Sequence, residues 1–185
     1  MVFSTNLFLF LFLPLFLLVY YILPFRFRSV WILLASYVFY AWWRVDFALL
    51  FFATMLWSYW IGAVIARTRD TNPQQAKLTL IFGIIGNLGT LAYFKYFNFG
   101  VDSLNAVLTS FGGRGLETWS VILPIGISFY VFQSTSYFID VYRRDAPPAR
   151  NFWDLSAFIA LFPQLVAGPI LRYKDVADQF YERSH

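Results

Sequence analysis

The chain has 185 residues, 59% of them hydrophobic, 23% aromatic and only 13% charged, with a net charge of +4 and no cysteine. An average soluble domain is roughly 45–50% apolar and roughly 25% charged, so this composition excludes an ordinary water-soluble globule and describes an integral membrane protein. The lack of cysteine excludes disulfides, thiolate metal sites and a cysteine nucleophile, and the cations form no folded basic surface of the kind that binds nucleic acid.

The fold class expected is all-α and polytopic, one membrane domain over residues 1–185. At a rise of about 1.5 Å per residue, about 20 apolar residues cross a hydrocarbon core of about 30 Å. The first run, Val2 to Leu23, meets that length, with Pro14 as a kink. It lacks the basic leader and small-residue cleavage site of a secretory signal and reads as a retained span. Further spans are expected at Val30 to Trp43, Phe47 to Ala66, Leu78 to Phe97 and Val121 to Ile139. Between the last two lies the longest polar interval, Asn98 to Ser120, which reads as a flexible outer loop with a turn at Gly112 and Gly113.

Charge sets the orientation. If all five segments cross and the N-terminus is outside, the inner connections hold Arg26, Arg28, Arg67, Arg69, Lys77, Arg143, Arg144 and Arg150, while the outer ones hold Arg44, Lys95 and Arg114. Cations concentrate on the cytoplasmic side of membrane proteins, so this arrangement is preferred over one in which the short Val30 to Trp43 segment re-enters without crossing. A last apolar stretch, Leu155 to Leu171, is broken by Pro163 and Pro169 and reads as a re-entrant element entered from the cytoplasm.

Two mid-membrane patterns stand out. In "FGIIGNLG", Gly83, Gly86 and Gly89 recur every third residue beside Asn87, which permits close helix approach. In "FYVFQSTSYFID", Tyr130, Gln133, Tyr137 and Asp140 share one helix face. Polar groups in hydrocarbon need partners, so this face should meet other helices or line a wet cavity. Tyr130, Gln133, Tyr137 and, beside the Pro163 break, Gln164 are therefore candidate cavity-lining residues, whereas Val131 is expected to face lipid. Asp140 is expected to form an interfacial ion pair with Arg143 or Arg144, and Lys95 to snorkel to the headgroups.

The segments "MVFSTNLFLFLFLPLFLLVYYILP", "ASYVFYAWW", "YFKYFNF", "LPIGISFYVFQSTSYFIDVYR" and "FPQLVAGPILRY", in this order, resemble the N-terminal part of a bacterial membrane-bound O-acyltransferase. The resemblance implies an inner-membrane enzyme that passes acetyl groups across the membrane. The donor would be a cytosolic substrate such as acetyl-CoA, no cofactor would be bound, and the acceptor would be hydroxyls of an exopolysaccharide such as alginate. Periplasmic acetyltransferase partner proteins would complete the transfer. It also implies a catalytic histidine in a later part of the protein. Here the only histidine is His185, so these residues are expected to be a fragment without the catalytic base and inactive alone, with no metal site. A secondary transporter with broken helices, or a non-catalytic scaffold that binds partner subunits, are the alternatives; the absence of a visible internal repeat weighs against the transporter.

Overall fold

The computed structural model of the chain describes residues 6–42, 44–117, 119–160 and Tyr173, and every described element is helical. A π-helical turn over Phe8–Phe12 leads into α1 (Leu13–Ile22), followed by α2 (Phe25–Ala41), α3 (Val45–Thr68), α4 (Pro73–Ser110), α5 (Ile127–Arg143) and α6 (Phe152–Ala160). α3, α4 and α5 pack against one another; α6 packs against α2, α3 and α5, and α1 lies on the edge against α2.

At Pro14 the hydrogen-bond pattern changes from a π-helical turn to an α-helix. Proline cannot donate to the turn before it, and the preceding residue, Leu13, donates instead to the Phe8 carbonyl five residues back. α2 starts earlier than expected, at Phe25, so Arg28 belongs to the helix rather than to a connection. Its guanidinium bends back to the Leu23 carbonyl at 3.2 Å and stacks 5.0 Å from the Tyr20 ring centre. Trp31 ties the same pair of helices by donating to the Phe16 carbonyl at 3.1 Å.

The largest departure is in α4. Asn72 accepts a hydrogen bond from the Gln75 backbone N–H and Pro73 opens the first turn, a strong helix start, but the helix does not end near Phe97. It runs for 38 residues, about 57 Å, and takes in Asn98 to Ser110, expected as loop. Two asparagines explain why. Asn98 donates to the Val121 carbonyl and accepts from the Val121 N–H, both at 2.8 Å. Asn105, two turns further along the same face, does the same with Leu116 at 3.1 and 2.7 Å. The returning chain is thus paired to the helix by side-chain amides as a strand is paired to its neighbour, and Trp119 stacks on Phe97 with ring centres 5.8 Å apart.

α5 also starts late. Ile127 donates to the Pro124 carbonyl across Gly126, whose φ is 74°; this is the tight turn that needs a residue free of Cβ strain. The helix therefore occupies Ile127–Arg143 instead of Val121 to Ile139. Of the stretch expected to re-enter, the described part is α6, in which every residue from Leu155 to Ala160 is buried. Residues 161–171, with Pro163, Gln164 and Pro169, lie outside the described residues.

Close packing depends on glycine, at positions only partly foreseen. A methyl group on Gly83 would sit 2.7 Å from Ile61 Cγ2, and one on Gly86 2.7 Å from the Trp57 ring, whereas one on Gly89 would meet nothing within 4 Å. Gly62, not singled out in the sequence, is the tightest: its methyl would lie 2.3 Å from Tyr137 Cε1. Gly62→Ala must therefore displace a ring held on several sides, and should destabilise the protein by about 1–3 kcal/mol, the usual cost of overpacking. Gly89→Ala should leave it unchanged or slightly more stable. Thermal unfolding of the two variants in detergent measures the difference, and equal melting temperatures would contradict this packing.

Candidate functional site

The polar face of α5 is buried as its spacing requires: Tyr130 and Tyr137 are each 1% exposed, Gln133 2% and Asp140 5%. Its members differ in what they do. The Tyr137 ring lies against Gly62 and edge-on to Tyr173 at 4.7 Å, and its hydroxyl accepts a hydrogen bond from the Ala149 N–H at 3.2 Å. That residue is packed and satisfied. Tyr130 meets Phe51 of α3 at 5.2 Å, yet among the described residues its hydroxyl has no hydrogen-bond partner, nor has Gln133 Oε1 one turn away, nor Ser156 Oγ on α6. A buried polar atom without a partner costs about 1–3 kcal/mol. Val131, expected to face lipid, is fully buried, because its position on the helix turns it towards α3 and α4; Phe132, at 43%, is the exposed neighbour.

The cavities lie elsewhere on α5. One of about 440 Å³ opens on its opposite side, lined by Phe132, Thr135, Ser136, Ile139, Asp140, Arg143 and Asp145. A second, of about 340 Å³, lies between α3 and α4 and is bordered by Thr54, Trp57, Gly86, Asn87, Thr90 and Val131 among others. Of the four candidate residues, Tyr130, Gln133 and Tyr137 line neither, and Gln164 lies outside the described residues. The polar run Gln133 to Ser136 therefore divides. Gln133 and Ser134 turn inward, while Thr135 and Ser136 turn to the open side, a division legible from 100° per residue once the packed side is known. Asn87 joins the two regions by donating to Thr135 Oγ1 at 3.2 Å, while Thr135 donates to the Val131 carbonyl at 2.8 Å.

At the end of α5 that carries the arginines, the turn between α3 and α4 grips the helix terminus. Arg69 donates to the Val141 carbonyl, and Arg144 pairs with Asp70. Arg144 thus reaches across to another connection. Asp140 instead receives a long hydrogen bond, 3.4 Å, from Ser136. Arg144 itself has φ 66°, a conformation costing a non-glycine residue about 1–3 kcal/mol. The cause is the helix ending, in which the Asp145 N–H returns to the Asp140 carbonyl at 2.9 Å and the Arg144 N–H to Val141 at 3.3 Å.

Among the described residues, this region presents hydroxyls, amides, carboxylates and the Arg143 guanidinium. The sole histidine, His185, lies outside the described residues.

No protein-family model matches the chain, and no solved structure matches it. Curated sequences do. The chain is 56% identical over 185 residues to a protein of Azotobacter vinelandii named probable alginate O-acetylase AlgI, covering all of this chain and 37% of that one. It is 57% identical over 186 residues to the protein of the same name in Pseudomonas putida, again over its whole length and 38% of the relative. A peptidoglycan O-acetyltransferase of Helicobacter pylori is 31% identical over 214 residues, covering all of this chain and 40% of that protein. The chain thus spans less than half the length of the relatives it matches. With its apolar helices and its similarity from first residue to last to these O-acetylases, it belongs to the membrane-bound O-acyltransferase family.

Proposed function

We propose that these residues form part of an O-acetyltransferase of the bacterial inner membrane that passes acetyl groups from a cytosolic donor such as acetyl-CoA to a polysaccharide outside. The observation that carries this reading is the match along all 185 residues to proteins named for O-acetylation of alginate and of peptidoglycan. The greater identity to the former favours alginate, or an exopolysaccharide like it, as acceptor. Periplasmic acetyltransferase proteins are the partners that complete delivery.

Transfer to a sugar hydroxyl needs a base for the hydroxyl proton and donors for the developing oxyanion. The described residues contain no histidine, so the base comes from residues other than these, and the present helices supply walls. Expressed alone, the 185 residues should insert without restoring acetylation to cells that lack their own acyltransferase gene, whereas the full-length protein should restore it. Acetylation restored by the 185 residues alone, and retained after His185→Ala, would overturn this reading.

Within the intact enzyme, Gln133→Leu separates a functional polar core from a merely tolerated one. Because Gln133 Oε1 has no partner among the described residues, removing the amide should leave the melting temperature unchanged or raise it, while acetylation falls. A fall in both together would mark Gln133 as a packing residue only.

The topology that accompanies this function is five crossings with the N-terminus in the periplasm. α3 and α4 are each long and apolar enough to cross a membrane, and the charge asymmetry orients them. A cysteine at Ser110 should then react with an impermeant reagent in intact cells, and one at Thr71 only after the cytoplasm is opened. Labelling of Thr71 from outside would reverse the orientation.

A further inference from the structure

We propose that the open side of α5 is a water-filled crevice entered from the Arg143 end, and that the Asn87–Thr135 hydrogen bond closes it at mid-depth from the cavity between α3 and α4. Calling the Arg143 end cytoplasmic rests on the topology given above; the crevice itself does not.

The lower chamber, about 440 Å³, carries Thr135, Ser136, Asp140, Arg143 and Asp145 on its wall. A chain that turns the carboxylates of Asp140 and Asp145 and the guanidinium of Arg143 to one side cannot bury that side in hydrocarbon. At about 30 Å³ for a water in the liquid, a space of this size holds many waters. Hydroxyls with both signs of charge favour water and small uncharged ligands that donate and accept hydrogen bonds.

The upper chamber, about 340 Å³, is less polar, since no charged residue lines it among the described residues and Leu50, Ala53, Trp57 and Val131 supply much of its wall. Asn87 belongs to its wall and Thr135 to the wall of the lower chamber. Their bond, at 3.2 Å, joins two neutral groups at the long end of the normal range. Asn87 is 2% exposed, and its position, 14 residues into α4, is about 21 Å along the helix, near the middle of a bilayer. An amide at that depth is expensive, and closing the crevice gives it a task.

The test uses the full-length protein in its own membrane, with single cysteines placed among these cysteine-free residues, any cysteine elsewhere replaced, and the charged reagent methanethiosulfonate ethylsulfonate added to inside-out vesicles. Ser136→Cys and Ile139→Cys should react at least about tenfold faster than Ile85→Cys on the exposed apolar face, because only a hydrated thiol ionises to the reactive thiolate. Ile85 is 63% exposed on α4 and serves as the lipid-facing control. Thr90→Cys should be protected, and should become about tenfold more reactive when Asn87→Ala or Thr135→Val removes the bond. Labelling in denaturant confirms that each cysteine is present, and two different closure variants guard against one that misfolds. Rates at Ser136→Cys and Ile139→Cys no faster than at Ile85→Cys would overturn the crevice. Thr90→Cys reacting equally with and without the hydrogen bond would overturn the closure. Reaction of Ser136→Cys only from right-side-out vesicles would overturn the topology and leave the crevice standing.

Discussion

The arrangement depends on the contact between the Tyr137 ring and the bare backbone of Gly62. A large ring can approach a helix axis this closely only where no side chain intervenes, and that approach draws α3 and α5 together along the halves that end at Thr68 and Arg143. Gly83 and Gly86 do the same for α4 against Ile61 and Trp57. In lipid there is little hydrophobic force between helices, because the tails are as apolar as the side chains, so association rests on dispersion and on backbones that can come close. Remove the glycines and the polar residues on α5 lose the neighbours that make their burial tolerable.

Most hydroxyls in the bundle need no neighbour, because they bond within their own helix. Ser36, Thr54, Ser58, Thr68, Thr90, Ser134 and Thr135 each donate to the carbonyl four residues earlier. Such bonds satisfy a hydroxyl in hydrocarbon at little cost. Amides and phenols cannot fold back so easily. Among the described residues, the Tyr130 hydroxyl and Gln133 Oε1 are buried without a hydrogen-bond partner, as are Tyr37 Oη, Trp57 Nε1 and Ser156 Oγ. Departures from local satisfaction concentrate where a protein works.

Much of this was legible in the sequence, where a physical rule acted within one segment. The burial of Tyr130, Gln133, Tyr137 and Asp140 follows from helical spacing and the cost of polarity in lipid, and Gly83 and Gly86 from the size of the residues. What stayed hidden depends on partners distant in sequence. Gly62 has no pattern of its own; its importance exists only because Tyr137, 75 positions later, lies over it. Val131 was misassigned because the width of the packed face of α5 is set by two neighbours rather than one. Asn98 and Asn105 read as loop residues because they fall in the longest polar interval, and only the returning backbone at Val121 and Leu116 turns them into supports for a helix. The cavities, likewise, are properties of gaps between helices, whereas sequence periodicity reports on surfaces one helix at a time.

The paired asparagines also divide the chain mechanically. With Asn98 fastened to Val121 and Asn105 to Leu116, the connection between α4 and α5 is cut into two small closed rings rather than one wide span. The outer ring, at the tip, can lengthen, shorten or change sequence without shifting the register of α5, since the inner fastening has already fixed where the chain turns down at Gly126. Variation among relatives can therefore accumulate at the tip while the helix pair beneath it keeps its alignment, and the cost of ordering the tip is borne locally.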